Sequence, residues 1–124
     1  MNKNEVFINK IIELTDDNKI KWTPLPVHMH SNLVFNSDYN IRLFEADINK
    51  KKILLVEKKI PEYFTDFDRH YETSHVEIYI VSDVGIESVI DSDVASKETL
   101  YEFINTVARK ANKTDDFFNY IIDM

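Results

Sequence analysis

The spacing of the apolar residues changes twice along this sequence, and that change constrains the fold more than any other feature. Near both ends, apolar residues recur every three or four positions, which is the period of an amphipathic helix. In the middle they alternate with polar residues or form short continuous runs, which is typical of β-strands. The pattern therefore predicts an α+β domain with helices at its ends and a sheet between them.

Three helices are predicted. The first covers residues 4–15, with Asn2 as its N-cap and Glu5 three positions later. Ser96 is expected to cap the second helix and Thr114 to cap a short third one. Each helix has a single apolar stripe that must be covered, so each stripe is expected to anchor its helix to the core. The stripes are Phe7, Ile8, Ile11, Ile12 and Leu14 in the first helix, Leu100, Phe103, Ile104, Val107 and Ala111 in the second, and Phe117, Phe118, Ile121 and Ile122 in the third.

Between the helices, short turns separate consecutive strands, which favours antiparallel pairing because parallel strands need long crossovers. Pro24 and Pro26 confine the first strand to an edge of the sheet. The aliphatic run at residues 53–56 predicts a central strand that is covered on both faces. The expected fold is an antiparallel four- to five-stranded meander sheet packed on one face by an N-terminal helix and two C-terminal helices. The candidate strands, more than such a sheet would use, are residues 20–22, 30–36, 39–48, 52–60, 75–82 and 86–90.

Length and composition narrow the class of protein. The 124 residues fit one domain, residues 1–124, and the absence of cysteine excludes disulfides and thiol catalysis. No signal-peptide pattern or apolar run of membrane-spanning length occurs, so we expect a cytoplasmic protein that is not associated with a membrane. The formal charge of −7 disfavours a nucleic-acid binder. Neither common glycine-rich phosphate loop is present, and no cofactor is expected.

The stretch at residues 61–73 is predicted to be a loop in which aromatic residues alternate with acids. Exposed Tyr, Phe and Arg side chains often anchor protein interfaces, and loops frequently carry function. The predicted binding residues are Tyr63, Phe64, Phe67, Arg69 and Tyr71. The alternative is a hydrophobic flap in which the same aromatics close the open end of the core.

Histidines give the second candidate site. His28 and His30 are two positions apart, so both imidazoles would lie on the same side of an extended chain. Two imidazoles can begin a transition-metal site, and His70 or His75 could supply a further ligand. This arrangement would suit a metal sensor or a metal-dependent hydrolase, and the alternative is a set of partly exposed strand histidines.

Three short stretches and the closing helix carry a resemblance to other proteins. The stretches are Ile20-Lys21-Trp22, Arg42-Leu43-Phe44 and Ile53-Leu54-Leu55-Val56, followed near the end by Leu100-Tyr101-Glu102, Val107-Ala108-Arg109-Lys110 and Asp115-Asp116-Phe117. In this arrangement the chain resembles a loose group of small uncharacterised proteins from low-GC Gram-positive bacteria and their phages. The resemblance implies structural positions in a core, and it implies no activity, cofactor or catalytic residue.

The absence of a recognisable catalytic motif, together with the aromatic stretch at 61–73, favours a non-enzymatic interaction or accessory protein, encoded by a phage or other mobile element. Its partner would be another protein, and an apolar surface on the third helix would also support a homodimer. Two alternatives remain from other classes. One is the metal-binding protein described above, and the other is an acidic nucleic-acid mimic that occupies a basic groove.

Overall fold

The computed structural model describes the backbone of residues 2–25, 40–64, 69–91 and 93–124, and their side chains except those of residues 40, 60–64 and 69–73. Eight elements follow one another, and the predicted α+β class is confirmed. They are α1 (Lys3–Asp16), β1 (Thr23–Pro24), β2 (Asn40–Ile48), β3 (Lys51–Phe64), β4 (Arg69–Ser82), β5 (Gly85–Ile90), α2 (Lys97–Ala111) and α3 (Thr114–Ile122).

The five strands form one antiparallel sheet in the order β1-β2-β3-β4-β5, so the predicted meander is confirmed. Asn49 and Lys50 join β2 to β3 with positive φ angles of 51° and 69°. A two-residue type I′ turn requires this conformation, which matches the right-handed twist of the strands. Gly85 begins β5 at a φ of 118°, a backbone conformation that residues other than glycine rarely adopt.

The first two helices begin at the side chains predicted to cap them. The Asn2 side chain accepts a hydrogen bond from the Glu5 backbone N–H at 2.9 Å, and the Ser96 Oγ accepts one from the Thr99 N–H at 3.1 Å. Each bond satisfies a donor that has no partner within the helix. Asn18, at a φ of 59°, follows the end of α1 in the left-handed conformation, which asparagine tolerates better than most residues at the end of a helix.

The main core lies between the sheet and the helices α1 and α2. Trp22 packs edge-on against Phe103 of α2, with 5.8 Å between the ring centroids. The indole N–H of Trp22 donates to the Thr15 Oγ1 at 3.1 Å, and both residues are buried. This bond satisfies two polar groups inside the core and ties the end of α1 to the chain that enters β1. The apolar members of the core are Ile8, Ile11, Ile20, Trp22, Phe44, Ala46, Ile53, Leu55, Val76, Ile78, Ile90, Leu100, Phe103, Ile104 and Val107.

A second, smaller cluster lies on the other face of the sheet. Leu43, Leu54, Val56 and Tyr79 are its buried members, and Leu25, Val81 and Ile86 are the partly buried residues packed against it. Consecutive residues of β3 alternate between the two clusters because successive side chains of a strand point to opposite faces. The prediction that the aliphatic strand is central and covered on both faces is therefore confirmed.

The prediction of a loop at residues 61–73 is wrong for most of that stretch. Strands β3 and β4 continue as a long hairpin, and their ladder extends to the pair Phe64↔Arg69. The described pairing of β3 with β2 ends at Lys58, opposite Asn40, and Pro61 lies beyond that point, opposite Glu72 of β4. Residues 65–68 lie outside the described part of the chain.

Two further predictions differ from the structure near the ends of the sheet and the chain. The first strand is Thr23–Pro24 rather than residues 20–22, although it does lie at an edge of the sheet as expected. The strand expected at residues 30–36 lies outside the described residues. Thr114 does not cap α3: Lys113 occupies the N-cap position in the left-handed conformation, with no side-chain hydrogen bond.

No helix in the described ranges is long and apolar enough to cross a lipid bilayer.

Candidate interaction surface

Helix α3 is amphipathic, but its apolar side chains are exposed. The predicted anchors Phe117, Phe118, Ile121 and Ile122 are 60%, 53%, 49% and 76% exposed, and no residue of α3 is buried. The prediction that this stripe anchors the helix in the core is wrong. In α2, by contrast, the equivalent stripe of Leu100, Phe103, Ile104 and Val107 is 0–3% exposed.

The exposed residues of α3 form one continuous surface. Phe117 and Ile121 are four positions apart, as are Phe118 and Ile122, and this spacing places the members of each pair next to each other on a helix. Tyr120, 65% exposed, extends the same side, and Met124, 85% exposed, lies two residues beyond the end of α3. We call these six residues the α3 surface. Soluble monomers rarely expose contiguous apolar patches of this kind, and larger ones mark sites of interaction.

The opposite side of α3 is acidic. Asp115 and Asn119 are four positions apart, and Asp116 and Asp123 are seven positions apart, so all four lie on the side away from the α3 surface. Asp115 and Asp116 occupy the first turn, where negative charge interacts favourably with the helix dipole.

Little in the described structure holds α3 in place. It packs mainly against α2, and Arg109 forms an ion pair with Asp115 at 3.0 Å. The two side chains of that pair are 63% and 67% exposed, so water and salt screen it and its contribution to stability is small. Lys113 joins the two helices at a φ of 54°, which costs free energy for any residue with a β-carbon.

The predicted aromatic binding residues lie at the far end of the β3–β4 hairpin. Tyr63 is opposite His70, and Phe64 is opposite Arg69, while Tyr71 is opposite Glu62. The register therefore brings four of the five predicted residues to one end of the sheet, although Phe67 lies outside the described residues. Their predicted role in binding stays a prediction.

The predicted metal ligands are only partly within the described structure. His28 and His30 lie outside it, and His70 is described by its backbone alone. His75 is partly buried on β4, opposite Lys58 of β3. Within the described residues, no group of three histidine, aspartate or glutamate side chains is placed to hold a metal ion. The metal site that includes His28 and His30 stays a prediction.

A partly buried polar cluster on β3 and β4 was not predicted from the sequence. The Lys58 ammonium donates to the Tyr79 hydroxyl at 2.6 Å and lies 3.5 Å from Glu77, whose carboxylate accepts the Tyr79 O–H. Burial, and the hydrogen bond to Glu77, raise the pKa of the Tyr79 phenol above its ordinary value. Tyr79 therefore stays protonated at neutral pH, and it does not serve there as a base or as a phenolate nucleophile.

A second polar contact connects the sheet to α2. Arg42 on β2 donates to Glu57 on β3 at 2.8 Å and to Asn105 on α2 at 2.9 Å. Glu57 is 8% exposed, and the contact satisfies a carboxylate that would otherwise be costly to bury. Ser74 on β4 and Tyr101 on α2 also share a hydrogen bond. These contacts connect α2, the helix that precedes α3, to the sheet.

Comparison of the chain with models of known protein families, with curated proteins and with solved structures finds no match. The resemblance to small proteins of low-GC Gram-positive bacteria and their phages stays a prediction.

Proposed function

We propose that this chain is a non-enzymatic protein-interaction module that binds a protein partner through the α3 surface. The observation that carries the proposal is the exposure of this surface. Six large apolar side chains that follow one helix are each 49–85% exposed, and no residue of that helix is buried.

The short length of α3 supports a role in which a bound partner stabilises the helix. The helix has nine residues, and isolated helices shorter than about 12–15 residues are marginally stable in water. Most helices in proteins are stabilised by burial of an apolar face, and no residue of α3 is buried. A partner that covers the surface would supply the missing stabilisation.

The geometry suits binding of a helix in a groove. In that mode an amphipathic helix inserts its apolar face into a hydrophobic groove, with anchors at spacings of three, four and seven residues. Phe117, Tyr120, Ile121 and Met124 have this spacing. Phenylalanine and tyrosine bury a large area with few rotatable bonds, so they lose little entropy when they are held at an interface.

The test compares two variants of the full chain in the cells that produce it. Phe117→Ser/Ile121→Ser removes two anchors, and serine has about the same helix propensity as the residues it replaces. Val6→Ser/Val84→Ser is the matched control, since Val6 and Val84 are 52% and 90% exposed and lie on α1 and in the β4–β5 turn. Proteins that co-purify with the wild type and the control, but not with the α3 variant, are then purified and titrated against all three.

We expect at least one purified partner to bind the wild type and the control equally. The α3 variant should bind it at least about 30-fold more weakly, which is the loss typical of a single interface hot spot. If every protein that co-purifies with the wild type also binds the α3 variant with unchanged affinity, the proposal is wrong.

The hairpin end is a second surface at which a partner could bind, as the sequence predicts. Its test is the same co-purification with alanine at Tyr63, Phe64 and Phe67. An unchanged set of partners would remove the hairpin end from the proposed interface without affecting the role of α3.

A further inference from the structure

We infer that Lys113 is a two-state hinge whose backbone conformation decides whether α2 and α3 are two helices or one. In the structure the helical path is interrupted at this residue. With Lys113 in the right-handed helical conformation instead, residues 97–122 would form one continuous helix. The inference concerns the direction in which the chain holds α3, and it does not depend on the identity of any partner.

The junction between the two helices is very short, and a single residue interrupts it. Asn112 follows α2 at a φ of −88° and a ψ of −2°, which is still in the right-handed region. Its backbone N–H donates to the Ala108 carbonyl at 3.0 Å, as in an α-helix. Lys113 then has a φ of 54° and a ψ of 43°, and α3 begins at the next residue, Thr114. The regular helical path therefore breaks at Lys113 alone.

The left-handed conformation of Lys113 is unusual for its residue type. Glycine and, less often, asparagine occupy this position after a helix, because a β-carbon is strained there. Lys113 also makes no side-chain hydrogen bond that would cap α3. The strain at this residue is therefore offset by interactions elsewhere, and it favours the continuous helix.

Two exposed interactions favour the interrupted form. Arg109 and Asp115, 3.0 Å apart, are separated by six positions, and only residues three or four positions apart are neighbours on one helix. Joining the helices would therefore break this pair. It would also remove the helix N-terminus that Asp115 and Asp116 now stabilise. Both effects are weak at exposed positions, where water and salt screen the charges.

A continuous helix would gain backbone hydrogen bonds at the junction. The last carbonyl groups of α2 and the first N–H groups of α3 lack helical partners while the helices are separate, and they would pair with one another if the helices joined. This gain and the relief of strain at Lys113 oppose the two exposed interactions. The two forms are therefore close in free energy.

The apolar stripes of the two helices have the same phase, as expected for one interrupted helix. Phe103 and Ile104 of α2 are followed 18 residues later by Ile121 and Ile122 of α3, and this separation is about five full turns. The continuous form would thus extend the stripe of α2 in a straight line through α3. The hinge changes the direction of the α3 surface without changing the residues that form it.

Two spin labels can measure the hinge, because the chain has no native cysteine. Glu102→Cys/Asn119→Cys places one label at an exposed position of each helix. In a continuous helix these positions would be about 26 Å apart along the axis, and a bend at Lys113 shortens that distance. Double electron–electron resonance gives the distance distribution. The labelled chain is diluted with unlabelled chain, so that only distances within one chain are detected.

Lys113→Gly and Lys113→Ala are compared in this labelled chain. Glycine adopts the left-handed conformation without strain, whereas alanine is strained there and is the better helix former. We expect the ratio of the long to the short population to be at least about fivefold higher in Lys113→Ala than in Lys113→Gly, with the wild type between them. Asp115→Asn should also raise the long population, because it removes the pair with Arg109.

The matched controls are Lys10→Gly and Lys10→Ala, at an exposed position within α1. Both should give the wild-type distribution. A smaller difference between the two Lys113 variants, including one distance common to both, would overturn the inference. An equal response to the Lys10 substitutions would do the same. Neither result would affect the proposed binding through α3, which is judged by the affinity of a partner for Phe117→Ser/Ile121→Ser.

Discussion

The same substitution in adjacent helices should have very different effects on stability, and this contrast tests the exposure of α3 directly. Ile104 of α2 is 0% exposed, whereas Ile122 of α3 is 76% exposed. Replacing isoleucine by alanine removes roughly 2.4 kcal/mol of transfer free energy when the side chain is fully buried. The cavity left behind adds to this, so Ile104→Ala should lower the free energy of unfolding by about 2–5 kcal/mol.

For Ile122, only about a quarter of the residue is covered, so the transfer loss is about 0.6 kcal/mol, and no internal cavity forms. Alanine also favours a helix over isoleucine by roughly 0.4 kcal/mol, which offsets most of that loss. We therefore expect Ile122→Ala to change the free energy of unfolding by less than about 0.5 kcal/mol. The gain in propensity applies equally to both helices, so it does not affect their comparison.

Urea denaturation followed by tryptophan fluorescence measures both variants, because Trp22 is the only tryptophan and lies in the main core. The measurement is made at two protein concentrations that differ about a hundredfold, since any self-association would make the transition depend on concentration. If Ile122→Ala lowers the free energy of unfolding as much as Ile104→Ala does at both concentrations, α3 is buried within its own chain, and the reasoning is wrong.

Three further predictions concern the body of the fold. Thr15→Val keeps the side-chain volume but leaves the buried Trp22 N–H without its acceptor. Urea denaturation should therefore show that the free energy of unfolding falls by about 1–3 kcal/mol. An unchanged midpoint would contradict the hydrogen bond between Trp22 and Thr15. Because the pKa of Tyr79 is raised in the folded state, stability should fall as pH rises above the ordinary tyrosine pKa of about 10. Tyr79→Phe should show a weaker fall, and identical pH profiles would argue against the burial of this phenol. Lys50→Gly should raise the free energy of unfolding by up to about 1 kcal/mol, because glycine adopts positive φ without strain. The thermal midpoint should rise accordingly, and a lowered midpoint would contradict the turn geometry.

The sequence predicted α1, α2 and the order of the sheet because local and global signals agree there. Ser96 precedes an apolar stripe of helical spacing, and the structure buries that stripe against the sheet. The stripe of α3 has the same period but a different environment. Periodicity shows that one side of a helix is apolar, and it does not show whether the chain itself or another molecule covers that side. The fate of Phe117 and Ile121 therefore could not be read from spacing alone.

The end of the β3–β4 hairpin was missed for a different reason. Pro61 and the mixed aromatic and acidic residues after it lack the clean alternation of a half-buried strand. They pair nevertheless, because the register set by residues 51–60 and 73–82 continues outward to the pair Phe64↔Arg69. Long-range pairing of this kind depends on a partner strand and not on the local sequence.

The polar cluster of Lys58, Glu77 and Tyr79 gave no signal in the sequence. Lys58 lies 19 and 21 positions from its two partners, and only the register of β3 with β4 brings them together. Glu77 and Tyr79 are two positions apart on one strand and so lie on the same face. The cation opposite them could not be identified without the strand pairing.

Amide hydrogen exchange of the isolated chain, repeated with the purified partner bound, tests the proposed role of α3 most directly. In the free, monomeric chain, the amides of α3 (Thr114–Ile122) should exchange far faster than those of α2 (Lys97–Ala111), because no packed core protects α3. Binding should slow exchange in α3 selectively. The account would be contradicted if α3 were as protected as α2 in the free monomer, or if exchange in α3 did not change when the partner bound.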